Sequence, residues 1–428
     1  MEKLFGQLNQ TTLLTVIHRL VTVIFYFVNS FLVVYFLKAT NWNIKIISIY
    51  YIISYIAMFV CFYTLGYYIT NKGVLKLYRI GIIFQLVQLF IVLYLKKDIA
   101  TFMIPLGILA GIVGGCYWIP RHLLVYSLNK SSKVSKFFCI DVAIDKIQTI
   151  LIPIVMGGII GLSNNHYSPL IMILIGILSL ALSFSTLIDI KEIDVHNLRI
   201  SKIKEFLQQS KFDKIGRMYI SEFFSGLTSS GILSIVVVIL TFHMYKSELN
   251  LGIYNSSVAF ITVIVMIGTI KYLKDSNFKV ILEIMGILTL FVCMMLIYMT
   301  NDVTFLIFNI ITGISFSVIQ IVGDSNIVKL LRQKETKKYI LENIILRDLS
   351  LNVGRVIGFS ILFYASDILN NINSMRIVLA FITIGIVMRI VFMNGALMIK
   401  DEHTEHHLIN FKYVNRAMNF LLSKKKLF

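Results

Sequence analysis

The chain has 428 residues, of which 57% are hydrophobic and 14% are charged, and its mean hydropathy is +0.82. Soluble domains carry about a quarter charged residues, so this composition excludes a soluble globular protein. The net charge is +18, and in so apolar a chain the basic excess indicates membrane topology rather than nucleic-acid binding. The four cysteines lie singly within apolar runs and indicate neither a disulfide framework nor a metal site.

Long apolar runs recur along the whole sequence. A helix that crosses the hydrocarbon core of a bilayer, about 30 Å thick, needs about 20 predominantly apolar residues. Runs of this length, separated by polar segments, predict an all-α membrane protein with twelve transmembrane helices. They lie near 12–37, 45–70, 79–95, 101–125, 138–162, 168–189, 217–243, 251–273, 277–299, 303–325, 340–365 and 375–398.

Basic residues are distributed unevenly between the two sides that twelve spans define. Of the 40 Lys and Arg residues, most lie on the side that holds both termini. Because such residues concentrate in cytoplasmic loops, we expect a multi-pass protein of the cell (plasma) membrane with both termini in the cytoplasm. The other side holds only Lys38, Lys45, Lys96, Lys97, Lys246 and Arg376.

The longest internal connection divides the spans six and six. It predicts an N-terminal six-helix bundle (1–189), a basic cytoplasmic linker (190–216), a C-terminal six-helix bundle (217–400) and a basic cytoplasmic tail (401–428). Linker and tail each place apolar residues at helical spacing among lysines, which is typical of a helix that lies on the inner leaflet of the membrane.

The two halves resemble each other at a nearly constant offset of about 200 residues. Asp141 aligns with Glu342, and Gly157 aligns with Gly358. Apolar matches are common by chance in such a composition, so these polar and glycine pairs carry the comparison. They indicate a pseudo-symmetric 6+6 arrangement, as in transporters that are built from repeated halves.

Twelve spans, a long basic linker and parallel halves resemble the major facilitator superfamily over roughly residues 10–400. The loop after the second span reads GYYITNKGVLK, and its Gly66 and Gly73 keep the seven-residue spacing of the family's cytoplasmic loop motif. The resemblance implies a role for both glycines in gating. Thr70 stands where the family usually has an aspartate, so the salt bridge of that acid is not implied here.

The fifth span reads IPIVMGGIIG, which is similar to the Gly-Pro, Gly-Gly motif of the family's proton-coupled exporters. Ile152 replaces the expected glycine, and Pro153 stands one residue too far from Gly157 and Gly158. The fourth span also lacks the arginine that those exporters commonly carry in its outer half. The resemblance therefore favours export only slightly.

Ionisable side chains within the spans are costly in a bilayer and indicate a cavity or paired charges. Most lie near the predicted cytoplasmic ends, where opposite charges on neighbouring helices would latch a gate. On this basis we assign gating to Arg121, Asp324, Glu342 and Asp348.

Asp141 and Asp145 are four residues apart and therefore share one face of the fifth span. Two acids on one face repel each other unless one is protonated or a cation lies between them. A carboxyl group that exchanges a proton is what proton coupling requires, so we expect Asp141, Asp145 and Glu222 to couple transport to protons.

Two arginines of the eleventh span are candidates for substrate binding. Arg355 lies 13 residues beyond Glu342, about 20 Å along the helix, and shares a face with Arg347. These cations would bind an anionic or zwitterionic solute or balance the acids of the cavity. His18 and Arg19 lie on the inward half of the first span, which lines the central cavity in the family, and complete the expected substrate site.

Other chemistry is absent from the sequence. It contains no phosphate loop, nucleotide fingerprint or nucleophile elbow, so we expect no enzyme activity, no cofactor and no metal. His403, His406 and His407 are expected in a solvated tail. We expect a monomeric secondary transporter that works by alternating access, couples to protons and exports an amphipathic small molecule. The alternatives are proton-coupled uptake of a small anionic solute, a lipid or lipid-linked sugar flippase, and a non-transporting receptor or assembly subunit.

Overall fold

The computed structural model describes residues 10–69, 73–128, 134–164, 166–188, 203, 205, 212–228, 232–245, 247–270, 277–299, 301–331, 339–366 and 372–397. Every regular element within these ranges is a helix. The predicted tail (401–428) and most of the predicted linker (190–216) lie outside the described residues, so their amphipathic helices stay predictions.

The helices follow the apolar runs of the sequence. A π-helical turn (Phe27–Phe31) joins α1 to α2, and a 3-10 helix (Lys96–Phe102) joins α4 to α5. The α-helices are α1 (Gln10–Tyr26), α2 (Leu32–Ala39), α3 (Ile44–Tyr68), α4 (Gly73–Leu95), α5 (Met103–Leu128), α6 (Val134–Leu162), α7 (Ser168–Ser185), α8 (Phe212–Leu227), α9 (Leu233–Tyr245), α10 (Glu248–Ile270), α11 (Phe278–Tyr298), α12 (Asp302–Leu331), α13 (Ile340–Ala365) and α14 (Ile372–Ala396).

Nine helices of the described part are long and apolar enough to cross a membrane. They correspond to nine of the twelve predicted spans. Helices also form at the other three places. α8 and α9 lie in the run 217–243, of which residues 229–231 are outside the described ranges, α13 carries several charges, and Phe381–Ala396 of α14 is a shorter apolar helix. The number twelve therefore stays a prediction.

A polar cap and a proline help to define two of the helix starts. The side-chain oxygen of Asn43 accepts hydrogen bonds from the backbone amides of Lys45 (3.0 Å) and Ile46 (3.3 Å) and so caps α3. Pro169 stands in the first turn of α7, where its missing N–H costs nothing. These local signals mark where α3 and α7 begin.

The first half of the chain (10–188) meets the second half (212–397) mainly along two seams. Helix α3 packs against α13, and α6 packs against α10. A Cβ atom placed on Gly157 would lie 2.6 Å from the backbone oxygen of Glu248, and one placed on Gly252 would meet the backbone oxygen of Pro153. Glycine lets α6 and α10 approach this closely, near the end of α6 and the start of α10.

Candidate functional site

A cavity of about 490 Å³ lies between the two halves of the chain. It extends to the helix ends that the sequence places on the cytoplasmic side, because its lining includes Leu331, the last residue of α12, and Tyr126, near the end of α5. The lining also contains five arginines and five carboxylates, all from within helices. They are Arg19, Arg121, Arg347, Arg355, Arg389, Asp141, Asp145, Glu222, Asp324 and Asp348.

Arg19 of α1 is the cation that separates the two aspartates of α6. Its guanidinium donates to both oxygens of Asp141, with Nε–Oδ1 at 2.9 Å and Nη2–Oδ2 at 2.6 Å, and its Nη1 lies 2.6 Å from Asp145 Oδ1. Tyr26 also donates to Asp145 Oδ1, at 3.0 Å. Of the two arrangements that the sequence left open, protonation or an intervening cation, the structure shows an intervening cation.

His18 and Arg121 are held next to this ion-pair group. The buried His18 ring shares a hydrogen bond of 2.7 Å between Nδ1 and the hydroxyl of Tyr117. Arg121 Nη2 lies 3.7 Å from Asp141 Oδ2, and the Arg121 guanidinium stands 5.3 Å from the centre of the Trp118 ring. The structure therefore brings the predicted site residues of α1, α5 and α6 together in one group.

Arg347 has the matching position in the second half. Its guanidinium lies 3.4 Å from Glu222 Oε1 and 3.3 Å from Asp324 Oδ1, so it joins α8, α12 and α13. This contact depends on a close crossing of α8 and α13, where a Cβ atom on Gly354 would lie 2.8 Å from the amide nitrogen of Leu227. Arg347 is thus neutralised by protein carboxylates.

Arg355 differs from Arg19 and Arg347 because it forms no ion pair with a described carboxylate. Its Nη1 donates to Asn352 Oδ1 at 3.1 Å on the same helix, and the guanidinium lies 4.8 Å from the centre of the Tyr55 ring of α3. A cation held by an amide and an aromatic face keeps donors available for a ligand. Of the two predicted substrate arginines, Arg355 is the one with an unpaired charge.

The formal charges of the cavity cancel within each half of the chain. The first half contributes Arg19 and Arg121 against Asp141 and Asp145, and the second contributes Arg347, Arg355 and Arg389 against Glu222, Asp324 and Asp348.

An aromatic wall, which the sequence did not single out, lines the first-half side of the cavity. Phe25 of α1 stacks on Trp118 of α5 with ring centres 5.4 Å apart, and Trp118 stacks on His122 at 5.7 Å. Aromatic residues are numerous in these spans, so nothing in the pattern distinguishes these rings from packing residues. The wall offers a flat apolar surface beside the charges.

The opposite end of the helices carries an ion pair between the two halves. Lys38 at the end of α2 pairs with Glu248 at the start of α10, and the hydroxyl of Tyr167 donates to Glu248 Oε1 at 3.0 Å. The side chain of Glu248 is only 4% exposed. This contact joins the two halves beside the Gly157 seam.

The structure describes three further predicted gating residues, and none of them lines the cavity. Glu342 is buried in the first turn of α13 but is not among the lining residues. Gly66 is buried in α3 and Gly73 begins α4, while Thr70 lies outside the described residues. The gating roles of these residues stay predictions.

Within the described ranges, no group of three or more His, Cys, Asp and Glu side chains is arranged to hold a metal ion. His403, His406 and His407 lie outside those ranges.

Solved structures that share this fold include three transporters. The human organic anion transporter MFSD10 (TETRAN) matches with a TM-score of 0.61 at 11% identity over 90% of this chain and 97% of that chain. A bacterial homologue of the iron transporter ferroportin, in its inward-facing state, matches with a TM-score of 0.62 at 14% identity over 92% and 100%. The nucleoside transporter NupG gives a TM-score of 0.61 at 13% identity over 92% and 99%. At these identities the likeness shows the fold.

Sequence comparison gives the family directly. The uncharacterized protein YqgE of Bacillus subtilis (strain 168) is 25% identical over 337 residues, which are 77% of this chain and 76% of that protein. The sequence profile of the Major Facilitator Superfamily matches residues 14–340, well over half of the chain. Together with the helical fold and its central charged cavity, this match shows that the chain is a multi-pass membrane transporter that belongs to the Major Facilitator Superfamily.

Proposed function

We propose that the chain is a monomeric secondary active transporter of the cell membrane, with two six-helix bundles (1–189 and 217–400) and both termini in the cytoplasm. The observation that carries this proposal is the contrast between the two ends of the helices. One end holds the charged cavity, whereas the Lys38–Glu248 pair and the Gly157 seam close the other end. Such a contrast is expected of the inward-facing state in an alternating-access cycle.

The proposed cycle is a rocking motion of the two halves about the cavity. The ion pairs of Arg19 and Arg347 each stay within one half, so they move intact with their bundles. The Lys38–Glu248 pair joins the halves and has to break when the outer end opens. Binding of solute or protons in the cavity therefore has to offset the loss of this contact.

Proton coupling is proposed at Asp141, Asp145 and Glu222. These carboxylates hold Arg19 and Arg347 in ion pairs within the cavity wall. A proton on any of them weakens the corresponding pair and leaves the cavity more positive. Protonation thereby changes the attraction of the cavity for a charged solute, which is the physical basis of coupling.

The proposed substrate is an amphipathic small molecule, and export is the favoured direction. The aromatic wall around Trp118 supplies an apolar surface, and the unpaired guanidinium of Arg355 supplies a polar contact. Proton-coupled uptake of a small anionic solute is the second candidate, because Arg355 would bind its anionic group. A lipid or lipid-linked sugar flippase would use the same combination of surfaces.

Proton coupling is tested in proteoliposomes with a ligand first found by a thermal-shift screen of metabolites, drugs and lipid head groups. We expect an imposed pH gradient to drive flux of that ligand and a protonophore to abolish the effect. Asp145→Asn and Glu222→Gln each leave the partner arginine with one carboxylate, Asp141 or Asp324, so the fold is kept. Each is expected to reduce gradient-driven flux at least tenfold. A tenfold reduction corresponds to a loss of about 1.4 kcal/mol of coupling free energy. Full gradient-driven flux in both variants would place the coupling elsewhere.

The role of Arg355 is tested by ligand affinity. Arg355→Gln removes the unpaired charge, and we expect the dissociation constant of the ligand to rise about tenfold or more, because a charge-assisted hydrogen bond contributes about 1.5–3 kcal/mol. Arg355→Lys should bind with intermediate affinity. Arg79→Gln is the matched control, since Arg79 donates to the backbone oxygen of Ser185 (3.0 Å) and does not line the cavity. Equal affinity in Arg355→Gln and the control would move the substrate site away from Arg355.

A further inference from the structure

Asp348 of α13 lies in the cavity wall and is only 3% exposed. Its Oδ2 is buried and receives no hydrogen bond, and no described cation forms an ion pair with it. The other four carboxylates of the cavity lining are ion-paired, two with Arg19 and two with Arg347. Asp348 is therefore exceptional among the lining carboxylates of the described chain.

The two arginines nearest to Asp348 on α13 contact other residues. Arg347 is engaged by Glu222 and Asp324, and Arg355 is engaged by Asn352 and the ring of Tyr55. Both arginines act on Asp348 electrostatically without forming an ion pair with it. An ionised carboxylate without a partner is costly in a buried site, and a proton removes that cost.

The charged groups around Asp348 come from every neighbouring element. Glu222 faces it from α8, and Arg121 and His122 line the same cavity from α5. Asp324 of α12 and Arg389 of α14 also line the cavity. Helix α3, which also packs on α13, contributes Tyr55, and its Lys45 lies at the far end.

We propose that Asp348 is a proton-binding site of the cavity, distinct from the paired carboxylates Asp141, Asp145 and Glu222. The inference rests on the proposed proton-coupled transport and adds a further residue to it. With Asp348 ionised, the five arginines and five carboxylates of the lining cancel. With Asp348 protonated, the cavity has one net positive charge beside Arg355, and an anionic group of a solute compensates that charge. Proton and anion then favour each other's binding, as the second candidate, proton-coupled uptake of a small anionic solute, requires.

The experiment is an infrared pH titration of the full-length protein in lipid nanodiscs, with the proton as the only ligand. A protonated carboxyl group is detected by its carbonyl stretch, which disappears when the group ionises. We expect a titrating band in the wild type, its loss in Asp348→Asn, and a shifted band in Asp348→Glu. Glu283→Gln is the control, because Glu283 is a buried carboxylate that accepts from Asn394 (3.1 Å) outside the cavity.

The outcomes separate this inference from the proposed function. A titrating band that persists unchanged in a folded Asp348→Asn, or the absence of any such band in the wild type, would overturn the assignment even if a pH gradient drives flux. Loss of the band in Asp348→Asn alone would support the proton site. If the wild type then showed no gradient-driven flux, Asp348 would still be a proton-binding site, but the proposal of proton-coupled transport would be wrong.

Discussion

Replacing Arg19 with glutamine is expected to lower the free energy of unfolding by about 3–5 kcal/mol. The guanidinium is bound by both oxygens of Asp141 and by Asp145, and its side chain is only 8% exposed. Glutamine cannot replace these contacts, so two carboxylates four residues apart would face each other in a buried site. The loss is measured by detergent-induced unfolding, followed through tryptophan fluorescence.

A second substitution distinguishes charge from packing. Adding Asp145→Asn to Arg19→Gln leaves Asp141 with Arg121, whose Nη2 lies 3.7 Å away, and restores a neutral first half. We expect this double variant to recover more than half of the lost stability. Arg79→Gln, which removes hydrogen bonds to a backbone oxygen only, should cost about 1 kcal/mol. If Arg19→Gln cost no more than this control, the ion-pair group would not stabilise the fold.

The places of the helices were predictable because the apolar runs have the length that a bilayer requires. Helix α13 shows the limit of this reasoning, because four charges lower the hydropathy of a helix that nevertheless packs closely on α3 and α8. Tertiary contacts, not apolar content, hold that helix in place.

The site was predictable in its residue types and not in its pairings. The four-residue spacing of Asp141 and Asp145 required a proton or a cation, and Arg19 was already a candidate for another role. The pairing itself joins residues 122 positions apart. It depends on which helices are neighbours and on how each is rotated about its axis, and a single sequence contains neither. For the same reason the sequence does not show that Arg347 and Arg355, the two arginines near Asp348, contact other residues.

Lys38→Glu is expected to open the outer end of the transporter. It places a second carboxylate beside Glu248, whose side chain is 4% exposed and whose remaining partner among the described residues is the hydroxyl of Tyr167. Breaking one partner of a buried pair costs about 2–5 kcal/mol, and since the Lys38 side chain is itself 38% exposed we take the low end. In the proposed cycle the pair exists only in the inward-facing state, so its removal destabilises that state alone. About 2 kcal/mol shifts the equilibrium toward the outward-facing state by about 30-fold.

The shift is measured by pulsed electron paramagnetic resonance between spin labels at Thr101 and Asn250, two exposed positions at this end of the two halves. We expect the main distance to lengthen in Lys38→Glu and to return in the charge exchange Lys38→Glu with Glu248→Lys. Lys96→Glu is the control, because it makes the same charge change at an exposed site of the same end. An equal lengthening in Lys96→Glu would mean that net charge, and not the pair, governs opening. An unchanged distance in Lys38→Glu would mean that the glycine seam of α6 and α10 holds the end closed without it.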